Sequence, residues 1–301
     1  MWFWFALIAL ICWSGSDLFS KIGCKDARDK YSHLKMVVAV GAVMGIHAAY
    51  EIFIGGVSID MNVIITYLPV SALYILSMAI GYLGLRYIEL SISSPICNSS
   101  GALVAILTFC IAGFGDVSAL QIAAVALVCV GVIALGIVEM REDDELRAAR
   151  QEKSNTKYAK SFIAILIPII YCLLDALGTF ADSIVLEKID EDSANVAYEL
   201  TFLAVGIVCL VFLFIKRQRF TFKGELPKYT GAVFETAGQF AYIYALADSA
   251  HVALSAPIIS AYCAASVLWS RIFLKEKLSF KHYLCIAVTV AGIVILGVFD
   301  A

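Results

Sequence analysis

Long apolar stretches alternate with short polar breaks along the whole chain. Ten such stretches stand out, at about 2–23, 34–55, 63–87, 92–114, 118–139, 160–186, 195–215, 228–248, 251–273 and 280–299. Each approaches the roughly 20 residues that a helix needs to cross about 30 Å of hydrocarbon. The pattern predicts an all-α membrane protein of ten transmembrane helices. The longest break, from Glu139 to Lys160, is rich in Arg, Glu and Asp and parts five helices from five. The chain therefore divides into a first five-helix repeat at 1–139, a charged linker at 140–159 and a second five-helix repeat at 160–301. An odd number of helices per half sets the halves in opposite orientations, the inverted-repeat plan of many secondary transporters.

The two halves also echo each other in detail. Leu254-Ser255-Ala256-Pro257-Ile258 opens an apolar helix that runs to Trp269, and Phe273-Leu274-Lys275-Glu276-Lys277-Leu278 follows. The next helix closes on Ala291-Gly292-Ile293-Val294-Ile295-Leu296-Gly297. In the first half, Ile92-Ser93-Ser94-Pro95-Ile96 opens a helix, the break falls at Gly113-Phe114-Gly115-Asp116-Val117, and the next helix ends Val130-Gly131-Val132-Ile133-Ala134-Leu135-Gly136. Pro95 matches Pro257, Gly131 matches Gly292 and Gly136 matches Gly297, which argues for an internal duplication.

These motifs resemble the EamA-type repeat of the drug/metabolite transporter superfamily, and Trp13-Ser14-Gly15-Ser16 in the first span fits the same repeat. The resemblance covers nearly the whole chain, and its motifs specify the fold well and the substrate hardly at all. It implies ten helices around a central cavity that opens alternately to each side of the membrane. Two departures stand out. Gly115-Asp116-Val117 replaces the Gly-Glu-basic-Leu loop common in the family, and both termini lack basic residues although many relatives have cytoplasmic termini.

Composition excludes a soluble protein. Of 301 residues, 61% are hydrophobic and only 16% charged, with a mean hydropathy of +0.89. So few charges cannot cover a soluble surface of this size. The net charge of -3 says little, because its distribution matters more. Lys and Arg crowd the odd-numbered loops: Lys21, Lys25, Arg28, Lys30 and Lys35 after span 1, Arg141 to Lys160 after span 5, Lys216 to Lys228 after span 7, and Arg271 to Lys281 after span 9. Even-numbered loops hold only Lys188. By the positive-inside rule the odd loops, the linker among them, are cytoplasmic and both termini are outside. A multi-pass protein of a cell membrane is expected, the bacterial inner membrane first. The Met1–Trp13 segment lacks a basic n-region and runs on into apolar chain, so it reads as a spanning helix rather than a signal peptide. Nine cysteines without a Cys-x-x-Cys pair, most of them within apolar runs, require no disulfide and suggest no metal.

Candidate chemistry lies in polar residues within the spans. An ionisable group there is costly unless it meets a partner or a wet cavity. Glu235, Gln239 and Tyr242 share one stripe of span 8, with Glu235 near mid-span. Tyr171, Asp175, Thr179 and Asp182 share a stripe of span 6, Asp182 approaching its outer end where solvation would account for it. Span 1 offers Ser14, Asp17 and Lys21. Asp17 and Lys21 can form a local i,i+4 ion pair, while Asp17 occupies a place much like that of Asp175. Tyr74, Asn98 and Tyr262 lie well inside spans 3, 4 and 9. For each the alternative to a cavity wall is a structural bond between helices. Tyr244, on another face of span 8, reads as core, His47 as a packed, hydrogen-bonded residue and His251 as an interfacial one.

This lining of acids, amides, hydroxyls and aromatics favours a cationic or zwitterionic solute, because carboxylates and aromatic faces both attract ammonium. Glu235 or Asp175 can also titrate and carry a proton in exchange. The expected function is a secondary active transporter that moves a small amine-bearing metabolite, an amino acid or a quaternary amine, by alternating access. Export of other small metabolites or drugs is the alternative. No cofactor, nucleic-acid partner or enzymatic activity is expected. No Gly-x-x-x-x-Gly-Lys-Ser/Thr is present, so ATP drive within this chain is excluded. A membrane-embedded enzyme would need a nucleophile–base or metal constellation, and a channel a filter-like loop. Impermeant thiol labelling of intact cells tests the topology: Ala301→Cys should react and Asn155→Cys should not, and the reverse pattern overturns the assignment.

Overall fold

The computed structural model describes residues 1–26, 29–87, 90–113, 117–140, 162–275 and 278–299. Beyond Met140 the charged linker lies outside these residues, as do Gly115, Asp116, Glu276 and Lys277. Among the described residues every regular element is helical. The first half holds α1 (Trp2–Cys24), α2 (Ser32–Tyr50), α3 (Met61–Tyr87), α4 (Leu90–Cys97), α5 (Ser100–Ala112) and α6 (Ala119–Met140). The second holds α7 (Phe162–Val185), α8 (Glu191–Ile215), α9 (Phe222–Leu246), α10 (Val252–Ser260), α11 (Tyr262–Trp269) and α12 (Phe280–Phe299).

Among the described residues, eight helical spans are long and apolar enough to cross a membrane. They include Ser93–Ile111 and Ser249–Leu274, each with two α-helices separated by a short break. The expected fourth and ninth spans are therefore broken helices. Near the breaks the backbone tightens: Ser99 N–H bonds the Ile96 carbonyl at 3.3 Å and Ala261 N–H the Ile258 carbonyl at 3.1 Å, the three-residue spacing of a 3-10 turn. Pro95 and Pro257 sit within the helix before each break rather than at its start. Helix α9 is long enough to cross but too polar for the same test, since it carries Glu225, Lys228, Glu235 and Gln239, all buried. In α12 the apolar run is Phe280–Leu296.

The principal packing joins one half to the other: α1 lies on α9, α3 on α7, α2 on α8, α5 on α10 and α6 on α12. Without a hydrophobic drive between helices in lipid, close approach depends on small residues at the crossings. At the crossing of α2 and α8, a Cβ on Gly41 would meet the Phe202 carbonyl oxygen at 2.8 Å, and one on Gly206 would stand 3.3 Å from Gly41 Cα. At α6 and α12, Gly131 faces Thr289 and Gly292 faces the Ala124 carbonyl oxygen at 2.7 Å. These contacts are to backbone that cannot yield. Gly41→Val should cost about 1–3 kcal/mol by overpacking and lower the melting temperature of the detergent-purified protein. Gly136→Ala, whose Cβ meets nothing nearer than 3.7 Å, should leave the melting temperature level or raise it. Equal melting temperatures for Gly41→Val and the wild type would contradict the packing account.

Candidate functional site

A cavity lies between the halves. Its walls follow helical spacing. Helix α1 contributes Trp13, Ser16, Asp17 and Ser20, one stripe at i, i+3, i+4 and i+7. Helix α3 gives Tyr74, Met78, Tyr82 and Leu85, α7 gives Tyr171, Asp175 and Thr179, and α9 gives Glu235, Gln239 and Tyr242. Tyr198 of α8 and residues flanking the two helix breaks, Asn98, Gly101, Ser260 and Tyr262 among them, close the ring. Helices α2, α6 and α12 contribute nothing to it. Glycines set how closely the walls approach. Gly238 faces the Trp13 indole, and Gly81 faces the Tyr171 ring, where a Cβ would meet carbon at 2.9 Å.

Each cavity carboxylate is held by hydroxyls from another helix. Ser94 of α4 and Ser266 of α11 donate to Asp17 at 2.5 and 2.8 Å. Ser100 of α5 donates to Asp175 at 2.7 Å, and Ser16 of α1 donates to Glu235 at 2.7 Å. Ser94 and Ser100 lie on opposite sides of the break at Asn98–Ser99, so carboxylates from both halves grip one broken span. Asn98 completes the turn by donating to the Ser94 carbonyl at 2.8 Å.

Ten of the eleven sequence candidates thus line one cavity: Asp17, Tyr74, Asn98, Tyr171, Asp175, Thr179, Glu235, Gln239, Tyr242 and Tyr262. Ser14 does not. It accepts the Trp269 indole N–H at 3.0 Å and donates to the Ile11 carbonyl at 2.7 Å, because its position on α1 points toward α11. Lys21 donates to the Leu85 carbonyl at 2.9 Å. Asp182 is fully buried rather than solvated. Tyr67 donates to it at 2.6 Å, and the Tyr74 hydroxyl lies 3.4 Å away. Tyr74 and Tyr242 share a hydrogen bond, and Tyr242 donates to Thr179 at 3.0 Å, so this buried acid is tied to the cavity wall. His47 bonds Glu199 at 2.8 Å across α2 and α8. Tyr244 is not core: it stacks on Phe5 with ring centroids 5.1 Å apart and bonds Asp192 on an exposed face. His251 stacks on Trp2.

Trp13, Ser16, Ser20, Ser94, Tyr82 and Tyr198 complete the site, and sequence reasoning missed them as site residues. The first three were within reach, since stepping from Asp17 by four, one and three residues along a helix finds each. Nothing local in the sequence marks Tyr198. Among the described residues, no three His, Cys, Asp or Glu side chains are grouped to hold a metal ion.

Residues 162–298 match the model of the EamA-like transporter family. Over these residues the chain is similar to that family. The EamA-like half carries Asp175, Glu235, Gln239 and Tyr262, and the other half supplies Asp17 to the same cavity. The family match and the apolar spans together support a multi-pass membrane protein, an EamA-type transporter of the drug/metabolite superfamily. No curated protein matches the chain. A solved crystal structure, titled only as that of a protein, superposes with a TM-score of 0.63 at 12% identity, covering 98% of this chain and 96% of that one. At that identity the likeness speaks for the fold alone.

Asp182→Ala would remove the acceptor that satisfies the buried Tyr67 hydroxyl. The cost should be about 1–3 kcal/mol, read as a lower melting temperature, with Asp182→Asn losing less because it keeps an acceptor. A wild-type melting temperature for Asp182→Ala would contradict the structural role.

Proposed function

We propose that the protein is a secondary transporter that moves a small amine-bearing solute, cationic or zwitterionic, across a cell membrane by alternating access. One observation carries this reading. Among the described residues, the cavity wall includes three carboxylates, Asp17, Asp175 and Glu235, and no Lys, Arg or His. Acidic groups gathered at membrane depth without a basic partner call for a positive charge from elsewhere, a cationic solute or protons. The aromatic wall, with Trp13, Tyr74 and Tyr262, adds faces that attract ammonium groups. Proton exchange through Glu235 or Asp175 fits the same wall, since a carboxylate that binds either a proton or a cation couples the two.

The alternating-access part draws support from pairwise packing. Counting each broken span once gives five helices per half. Exchanging span n of one half with span n of the other then maps the α1–α9 pair onto α7–α3 and the α5–α10 pair onto α11–α4, and maps α2–α8 and α6–α12 onto themselves. The glycine contacts follow the same exchange: Gly41 meets Phe202 and Leu203 while Gly206 meets Val37 and Val38, and Gly131 meets Thr289 while Gly292 meets Val128. This reciprocity is what two inverted repeats require. The breaks at Asn98–Ser99 and at Ala261 are natural bending points, and both lie on the cavity wall. The basic loops place the linker inside and both termini outside, with the bacterial inner membrane as the expected home.

Counterflow in proteoliposomes tests the reading. A labelled amine on one side should exchange faster when unlabelled amine is present on the other. Glu235→Gln keeps shape and hydrogen bonding but removes the charge and the titratable proton. It should fold and insert normally yet transport at least tenfold more slowly, about 1.4 kcal/mol of lost binding or coupling. Wild-type rates with unchanged pH dependence would show Glu235 to be structural.

A further inference from the structure

The cavity carboxylates account for a positive charge on the solute, and three neutral donors on the same wall have no hydrogen-bond partner. Gln239, 2% exposed, has an amide nitrogen with no hydrogen bond, and the Tyr82 hydroxyl, on a residue 6% exposed, and the Trp13 indole nitrogen likewise have none. All three residues line the cavity, and Gln239 and Tyr82 are the two whose polar group is not part of an aromatic face offered to the ammonium. The hydroxyls of Ser94, Ser100, Ser16 and Tyr242 are engaged, on Asp17, Asp175, Glu235 and Thr179. A buried donor left unsatisfied costs about 1–3 kcal/mol. Water in the cavity can fill that need, and a solute atom that displaces it must accept in its place.

The charge of that acceptor follows from what surrounds it. Sites for a carboxylate use Arg, Lys or a free helix N-terminus, and the wall offers no basic side chain. Asn98 and Gly101 flank the start of α5 on the cavity wall, and there the Ser100 hydroxyl holds the Asp175 carboxylate, so negative charge is already in place. A second anion beside Asp17, Asp175 and Glu235 would meet like charge, with only neutral donors, an amide, a phenol and an indole, to receive it. A carbonyl, carboxamide or hydroxyl needs no more than such neutral groups can give.

We infer that the solute is a monocation carrying a neutral hydrogen-bond acceptor, an amino amide or amino alcohol, and that Gln239 and Tyr82 select it by donating to that acceptor while the carboxylates hold its ammonium. The inference rests on the cation-binding reading proposed above and narrows it by setting zwitterions and simple amines below acceptor-bearing cations.

The test uses the purified full-length protein and three probes of one skeleton: phenylalaninamide, a cation with a neutral carbonyl; phenethylamine, a cation without an acceptor; and phenylalanine, a zwitterion. The alanine series of alaninamide, ethylamine and alanine repeats the comparison at smaller size. Equilibrium binding is measured by calorimetry at a slightly acidic pH that keeps each amine protonated. Within a series the amide should bind at least tenfold more tightly than either companion. In the Gln239→Leu/Tyr82→Phe double variant the preference of amide over amine should fall below threefold. Wild-type binding of the amine or the amino acid as tight as that of the amide overturns the inference and leaves the cation reading standing. So does a preference that survives in a double variant with wild-type melting temperature. Failure of all six probes to bind overturns both.

Discussion

A carboxylate within a membrane span must be answered by a hydrogen bond, a charge or water, and that requirement organises this structure. Asp17, Asp175 and Glu235 meet it with serine hydroxyls drawn from neighbouring helices. These bonds do two things at once. They satisfy part of each carboxylate's hydrogen-bonding capacity, and they fix α4, α5 and α11 against α1 and α7. Because hydroxyls carry no charge, the cavity keeps its acidic character. Pairing each acid with a lysine would have held the helices as well and left nothing for a cation to bind.

The same bonds give solute binding a way to move helices. Ser94 and Ser100 flank the break in the fourth span, and each is bonded to a carboxylate from a different half. On the proposed cation reading, an ammonium that took up lone pairs on Asp17 or Asp175 would compete with these hydroxyls and loosen one segment of the broken span relative to the other. The α2–α8 and α6–α12 crossings are packed backbone to backbone at glycines, and among the described residues these four helices give only Tyr198 to the cavity wall. On the alternating-access reading they are suited to act as the fixed frame around which the broken spans shift.

Much of this was legible in the sequence. Apolar run length located the helices, because hydrocarbon thickness imposes a length that composition reveals. Helical spacing located the acids, since a mid-span carboxylate stands out against Leu, Ile and Val. Two kinds of information were missing. Breaks inside the fourth and ninth spans left no drop in hydropathy, because Asn98, Ser99 and Ala261 sit within apolar surroundings. Partners contributed from distant positions were also invisible: Asp182 looked like a solvated residue near a helix end, and its burial against Tyr67 depends on how α3 meets α7. Ser14 was misassigned for the related reason that a helical position shows which face a residue shares and not which neighbour that face meets.

The central claim is that an uncompensated acidic cavity recognises positive charge, and a pair of probes alike in size and opposite in charge tests it most directly. Calorimetric titration of the purified protein with phenethylamine and with phenylacetate should give saturable binding of the cation alone. That binding should disappear in the Asp17→Asn/Asp175→Asn/Glu235→Gln triple variant while its fold, followed by circular dichroism, is retained. Binding of phenylacetate as tight as or tighter than phenethylamine would contradict the account.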